Sequence, residues 1–219
     1  MRTWRTVAAS VLALLGLCAA LGAGAGELKQ DRDFRLINPP LAAETDKIEV
    51  TEFFWYTCSH CLDFEPVLAA WLKKLPADVS FRRVPAIFPN NRWTFGARLY
   101  YTLEAMNLLE KFHGEVFNAI HVERQRLDDE KILLEWVAKK GLDAKRFGET
   151  WSSFGVQSRV QQARRLTLAA GVGGVPSVMV QGRYMALTTG NYEDLLAVID
   201  QLVERARAEA GRKRSSGGG

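Results

Sequence analysis

Along this chain the spacing of apolar residues alternates between period two and period three to four, and each switch marks an element. Residues 34–37, FRLI, read as an edge strand before Pro39-Pro40. The stretch 48–56, IEVTEFFWY, is dense in β-branched and aromatic side chains and reads as a buried strand. Over 58–75 the apolar residues Leu62, Val67, Leu68, Trp71 and Leu72 predict a helix. Pro66 should kink it, because the ring removes a backbone donor and crowds the carbonyl four residues back. Val79 to Val84 reads as a second buried strand. From about Trp93 to Ala170 the pattern is helical, with segments near 93–109, 111–122, 128–140, 143–153 and 156–170. Asp128 is placed to cap the third of these, with Lys131 and Leu134 inside it. β-character returns as SVMVQ at 177–181, a turn at Gly182-Arg183 and YMAL at 184–187. A last amphipathic helix spans roughly 191–209, with Leu195, Leu196, Ile199, Leu202 and Val203 on its inner face.

The order is therefore β-α-β, a helical block, then β-β-α. Strands flanking an all-helical stretch predict one α/β domain, built from residues 27–91 and 171–209, with a helical insertion at 92–170. No internal repeat interrupts that order.

Composition agrees with a globular chain: 219 residues, 47% apolar and 25% charged, long enough to bury a core without disulfide staples. The first 26 residues differ. Arg2 and Arg5 precede an apolar run from Val7 to Leu21 and then Gly22-Ala23-Gly24-Ala25-Gly26. A positive start, an apolar middle and a small-residue zone predict a cleaved secretory signal peptide, with an uncleaved anchor as the alternative. Cys18 lies in that run and is read as part of the leader, because Leu17 stands where a lipid-attachment pattern wants a small side chain. Without residues 1–26 the chain holds 27 basic and 25 acidic residues, a net of +2, and Arg212, Lys213 and Arg214 supply three of the 27. The remaining body is near neutral, so the charge offers no case for nucleic-acid binding. The tail from 210, ending Ser-Ser-Gly-Gly-Gly, is expected to be disordered.

The chemistry centres on Phe53-Phe54-Trp55-Tyr56-Thr57-Cys58-Ser59-His60-Cys61. Two cysteines three positions apart, after a buried strand and opening a helix, form a redox signature. Residues i and i+3 share a helix face about 5–6 Å apart, within reach of a disulfide. Cys58 would meet the unpaired N–H groups and positive dipole of the helix start, which favour a thiolate. Cys61, one turn inward, suits resolving a mixed disulfide. His60 can donate a hydrogen bond or a positive charge to the Cys58 sulfur. All three effects stabilise the reduced form and predict an oxidant. A permanent structural disulfide would constrain little chain entropy. A metal site on Cys58, His60 and Cys61 lacks a second ligand pair. A covalent haem wants histidine where Leu62 stands. Neither metal nor cofactor is expected.

These motifs, EFFWYTCSHC at 52–61, the helix with Pro66 and GVPSVMVQGRY at 174–184, make the chain similar to the DsbA family of thiol:disulfide interchange proteins over residues 30–208. The resemblance implies a thioredoxin-like fold interrupted by an all-helical insertion domain. It implies a cis bond at Val175-Pro176, beside the cysteines, where the backbone pairs with an extended substrate. It also implies that Glu52, whose strand parity turns it to an apolar face, is a buried acid that helps move the Cys61 proton; the residue alone reads equally as a strand-end acid paired with a lysine. One departure is Ser59-His60 between the cysteines, where the best-known members have proline before the histidine. His113 and His121 read as packing histidines, and Trp93, Phe95, Tyr100 and Tyr101 as core candidates, some of them lining an apolar groove.

The expectation is a monomeric periplasmic dithiol oxidase, acting on reduced unfolded secreted proteins and reoxidised by a DsbB-type membrane quinone reductase. Two rivals stay open. A reductase or isomerase would work from the reduced state, although no separate dimerisation segment is read before the first strand. A peptide-binding holdase would bind substrate undiminished after Cys58→Ser and Cys61→Ser.

Overall fold

A computed structural model describes residues 27–89, 91–187 and 190–216. The expected signal segment, with Cys18, lies outside the described residues. Five strands form one sheet: β1 (Phe34–Leu36), β2 (Ile48–Phe54), β3 (Val79–Pro85), β4 (Ser177–Val180) and β5 (Tyr184–Ala186). Their spatial order is β1-β5-β4-β2-β3. β2 pairs parallel with β3 and antiparallel with β4, so the strand that runs into the cysteines lies inside the sheet. All seven of its residues are buried, which fits a strand whose side chains are β-branched or aromatic at every position but Glu49 and Glu52.

Among the described residues there are seven helices: α1 (Ser59–Leu72), α2 (Asn91–Ala105), α3 (Leu109–His121), α4 (Glu130–Lys139), α5 (Ala144–Trp151), α6 (Phe154–Ala169) and α7 (Tyr192–Ser216). α2 to α6 stand between β3 and β4, as the switch in apolar period predicts. Side-chain alternation along β2 and β4 sorts the core into two clusters. Val50, Val178 and Val180 pack with Phe64 and Leu68 of α1 and with Leu195, Ile199 and Leu202 of α7. Phe53 and Met179 join a second cluster with Val160 and Ala163 of α6 and with Phe117 and Trp136. Truncating a fully buried ring such as Phe64 to alanine costs about 3–5 kcal/mol.

Three boundaries differ from expectation. Asp129, rather than Asp128, caps α4, accepting from Lys131 N at 2.9 Å and Ile132 N at 3.3 Å. Asp128 instead faces Arg92 and Arg126; two adjacent aspartates offer the same local signal, and tertiary partners choose between them. The β4–β5 turn centres on Gln181-Gly182, both at positive φ, one residue earlier than read. A Cβ on Gly182 would lie 2.1 Å from the Leu41 carbonyl oxygen, so glycine is required there. Finally, α7 runs on to Ser216, where a disordered tail from 210 was expected. Ala206 to Arg212 are strong helix formers except Gly211, and the buried face of the helix extends as far as Ala206. α1 continues through Pro66. No helix among the described residues is long and apolar enough to cross a membrane.

Candidate active site

β2 delivers the chain through Trp55, Tyr56 and Thr57 to Cys58, which is the N-cap of α1 with extended backbone angles and no side-chain cap. The Cys58 N–H donates to Trp55 O at 3.0 Å and its carbonyl accepts from Leu62 N at 3.2 Å, so the turn and the first helical bond share this residue. No acidic side chain occupies the first turn of α1, leaving the positive helix end uncompensated. Cys58 is half-buried and Cys61 fully buried, and both are free thiols.

The two sulfurs depart from the ordinary thiol in opposite directions. Cys58 is lowered to about 6, chiefly by the Cys61 thiol, then by the backbone amides of Cys61 and His60, against the opposing effect of burial. Cys61 is pushed strongly upward, first by its hydrogen bond to Cys58 and then by burial, with the negative charge of Glu52 adding to both. The His60 imidazole contributes less to Cys58 than the same residue's amide. Its side chain is 75% exposed and lies 4.0 Å from Asp63. The Tyr192 hydroxyl donates to the His60 carbonyl at 2.9 Å and so ties the start of α7 to the start of α1.

Val175 and Pro176 reach the same place from the far side of the helical block. Their peptide bond is cis, as is Asn38-Pro39. The Val175 carbonyl oxygen lies 3.4 Å from Cys58 Sγ and accepts from it when that sulfur is a thiol. Both residues are half-buried, between exposed Gly173-Gly174 and strand β4. Trp93 stacks on Trp55 at 4.0 Å and meets Phe88 edge-on at 4.7 Å, giving a partly exposed aromatic shelf three residues before Cys58. Tyr100 and Tyr101 are core residues, each 5% exposed.

Glu52 is fully buried, on the α1-facing side of β2, opposite Arg83 of the parallel strand β3. Arg83 Nε lies 3.1 Å from Glu52 Oε2, the partner that sequence reading assigned to a lysine. The approach is too oblique for a hydrogen bond, and among the described residues neither Glu52 oxygen has a donor. Burial therefore dominates and raises Glu52 to about 8, with Arg83 opposing and Glu65 reinforcing.

Sequence reasoning missed what lies behind Arg83. Its NH2 group donates to Glu65 Oε2 at 3.0 Å. Glu65 Oε1 meets His113 Nε2 at 3.2 Å, and His113 Nδ1 meets the Tyr56 hydroxyl at 2.9 Å. His121 Nε2 donates to the Tyr56 carbonyl at 2.8 Å. A signal was present: His113, Phe117 and His121 are spaced four apart on α3 and share one face. What that face touches depends on how the insertion docks. Among the described residues no cluster of His, Cys, Asp or Glu gathers as metal ligands would.

Comparison with known proteins adds a family. A model described as "DSBA-like thioredoxin domain" matches residues 49–200. The thiol:disulfide interchange protein DsbA of Bordetella parapertussis is 41% identical over 207 residues, covering 93% of this chain and 96% of that one. The protein of the same name from Pseudomonas aeruginosa is 38% identical over 177 residues, covering 80% and 83%. The crystal structure of P. aeruginosa DsbA superposes with a TM-score of 0.77 at 37% identity, covering 82% of this chain and 95% of that one. The oxidoreductase DsbA of Xylella fastidiosa gives 0.75 at 34% identity, covering 80% and 96%.

Proposed function

The chain belongs to the DsbA-like thioredoxin-domain family and is a thiol:disulfide oxidoreductase, and from that premise we propose that it works as a dithiol oxidase, with Cys58 as the exchanging sulfur. The observation that carries this is the split between the two thiols: one half-exposed and held as an anion, its neighbour buried and held as a thiol. A dithiol whose outer sulfur prefers to be an anion gives up its disulfide readily.

In the oxidised protein a substrate thiolate attacks Cys58 Sγ. A mixed disulfide forms, the Cys58–Cys61 bond breaks, and Cys61 leaves taking a proton. Glu52 supplies it, since an acid raised to about 8 still holds its proton at neutral pH. A second substrate thiolate then attacks the substrate sulfur of the mixed disulfide, and Cys58 departs as a stable thiolate. Substrate gives up two electrons, which the protein gains; its two protons go to solvent, since both sulfurs attack as thiolates, and Glu52 recovers from solvent the proton it gave to Cys61. Reoxidation reverses the roles: Cys58 thiolate attacks an oxidised partner, and Cys61 resolves the adduct after giving its proton to the Glu52 carboxylate. Val175 and Pro176 offer an extended backbone edge beside the sulfur for a peptide in β-like pairing, which selects conformation more than sequence. His60 acts mainly through its amide.

The rest of the reading follows from the family. Residues 1–26 act as a cleaved leader and the mature protein works in the periplasm as a monomer. Its clients are reduced, newly exported polypeptides, and a DsbB-type quinone-linked membrane protein reoxidises it. The thioredoxin-like part comprises 27–91 and 171 onward, with 92–170 inserted. No cofactor or nucleic acid enters the cycle.

The test is a thiolate titration of the reduced protein by ultraviolet absorbance, combined with oxidation of a reduced dithiol peptide by one equivalent of the disulfide form. A Cys58 midpoint near 6 and near-stoichiometric peptide oxidation are expected. A midpoint near 9, the ordinary thiol value, would favour a reductase or isomerase instead.

A further inference from the structure

The oxidase cycle uses Glu52 and leaves His113 idle, although His113 is only 8% exposed and joined at both ring nitrogens. A buried polar side chain with two partners in different elements is costly to maintain unless it holds something in place. The direction of its bonds can be worked out from the chemistry of its neighbours. Glu65 is a carboxylate: burial pushes its proton affinity up, but the His113 hydrogen bond and Arg83 outweigh this and leave it below the ordinary range. A carboxylate only accepts, so His113 Nε2 carries the hydrogen that Glu65 receives. Burial pushes the Tyr56 phenol far above its usual range, so Tyr56 is a hydroxyl donor and His113 Nδ1 is its acceptor. Burial also keeps the imidazole neutral, against the pull of Glu65. A one-way chain results, Tyr56 to His113 to Glu65, meeting Arg83, which stands between Glu65 and Glu52.

We infer that His113 is a positioning residue for the redox step: a neutral imidazole oriented by Tyr56, it fixes the Glu65 carboxylate against Arg83 and so limits how much of the Arg83 charge acts on Glu52 beneath Cys61. The inference rests on the reading of Glu52 as the proton acceptor of Cys61. It makes the helical block part of the proton chemistry, since α3 carries His113 while α1 and β3 carry Glu65 and Arg83. The charged and titratable groups facing His113 are Glu65 from α1, Arg83 from β3, Tyr56 before α1, Tyr100 from α2 and Glu110 from α3. Four of these five, with His113 itself, line a solvent-open cavity of about 280 Å³. Without the His113 N–H, Glu65 stays ionised near pH 8 but is held less firmly against Arg83 and offsets its charge less. Arg83 then acts more fully on Glu52, whose ionisation falls to lower pH.

The experiment measures resolution by Cys61. Reduced protein is mixed with excess oxidised glutathione, and the second kinetic phase reports attack of Cys61 on the Cys58–glutathione disulfide, releasing glutathione thiol. The wild-type rate should rise through an inflection near 8, set by Glu52. His113→Leu should move that inflection down by about half a pH unit. Tyr56→Phe, which keeps the core volume, should move it down by less, and neither change should alter the Cys58 thiolate midpoint. In a Glu52→Gln background both effects should vanish. Equal effects of His113→Leu with and without Glu52 would mark a merely structural role and overturn the inference, as would an unmoved inflection in both variants. If Glu52→Gln keeps the wild-type inflection, the Glu52 reading falls and the inference with it. If Glu52→Gln abolishes the inflection while His113→Leu leaves it in place, only the inference falls. Nitrogen-15 shifts of the wild-type ring should show Nε2 protonated and Nδ1 bare; the opposite tautomer reverses the chain and sinks it.

Discussion

The first turn of α1 has two flanks, and they tune sulfur by different physics. On the outer flank Cys58 meets its neighbour's thiol, backbone amides at a helix end, a carbonyl from Val175 and an exposed imidazole that contributes little. On the inner flank the fully buried Cys61 faces Glu52, which keeps its proton at neutral pH, and behind Glu52 stand the paired charges of Arg83 and Glu65. Dipoles fixed by the backbone act on a sulfur within the first turn even beside solvent, because they need no side-chain ordering. Full charges act strongly only where water is excluded, and there each must be held by another. The outer flank sets which sulfur reacts. The inner flank sets when its partner can follow.

The largest expected effect tests the outer flank: Cys58→Ser should abolish exchange, a loss on the order of a thousandfold or more, while Cys61→Ser mixed with oxidised glutathione should release one glutathione thiol and hold the other half on Cys58 as a mixed disulfide visible by mass. Next comes the inner flank. Glu52→Gln should slow resolution by Cys61 about a hundredfold, the lower end for a lost proton acceptor, with the Cys58 titration little changed. A large shift of the Cys58 midpoint in that variant would merge the two flanks into one electrostatic unit. A smaller, pH-dependent effect separates the redox forms. Cys58 is lowered from 9.0 to about 6 in the folded reduced protein, so its stabilisation is complete above about 9 and lost as pH falls through 6. The disulfide form has no such thiol, and the effect of Glu52 is common to both forms. Denaturant unfolding should therefore show the reduced form gaining on the oxidised form as pH climbs from 6 to 9. Cys61, shifted upward, withdraws its share only above about 9. The smallest effect is His60→Ala, which should raise the Cys58 midpoint by only about 0.3 unit, because an exposed imidazole is well screened.

The two flanks were unequally legible in the sequence. The cysteine spacing, the strand before it and the helix after it are local, so the i,i+3 geometry and the N-cap position of Cys58 follow from ten consecutive residues. Parity along 48–56 also turned Glu52 to an apolar face of the sheet. Its partner did not follow, since Arg83 reaches it only through parallel pairing of β2 with β3. His113 read as a packing residue because what α3 presses against is decided by how five helices dock, and periodicity reports burial without naming the neighbour. The α4 cap failed for the same reason: Asp128 and Asp129 are interchangeable until Arg92 and Arg126 claim one.

The 3.4 Å contact between Cys58 and the Val175 carbonyl joins positions 117 apart in the chain. A ribosome releases the thiol pair and its helix well before any of β4 exists. Closing so long a loop is slow, because the entropy of the intervening five helices must be overcome before β4 can slot beside β2. Until β4 pairs with β2, therefore, the thiol pair is present but the docking edge for clients is not yet built.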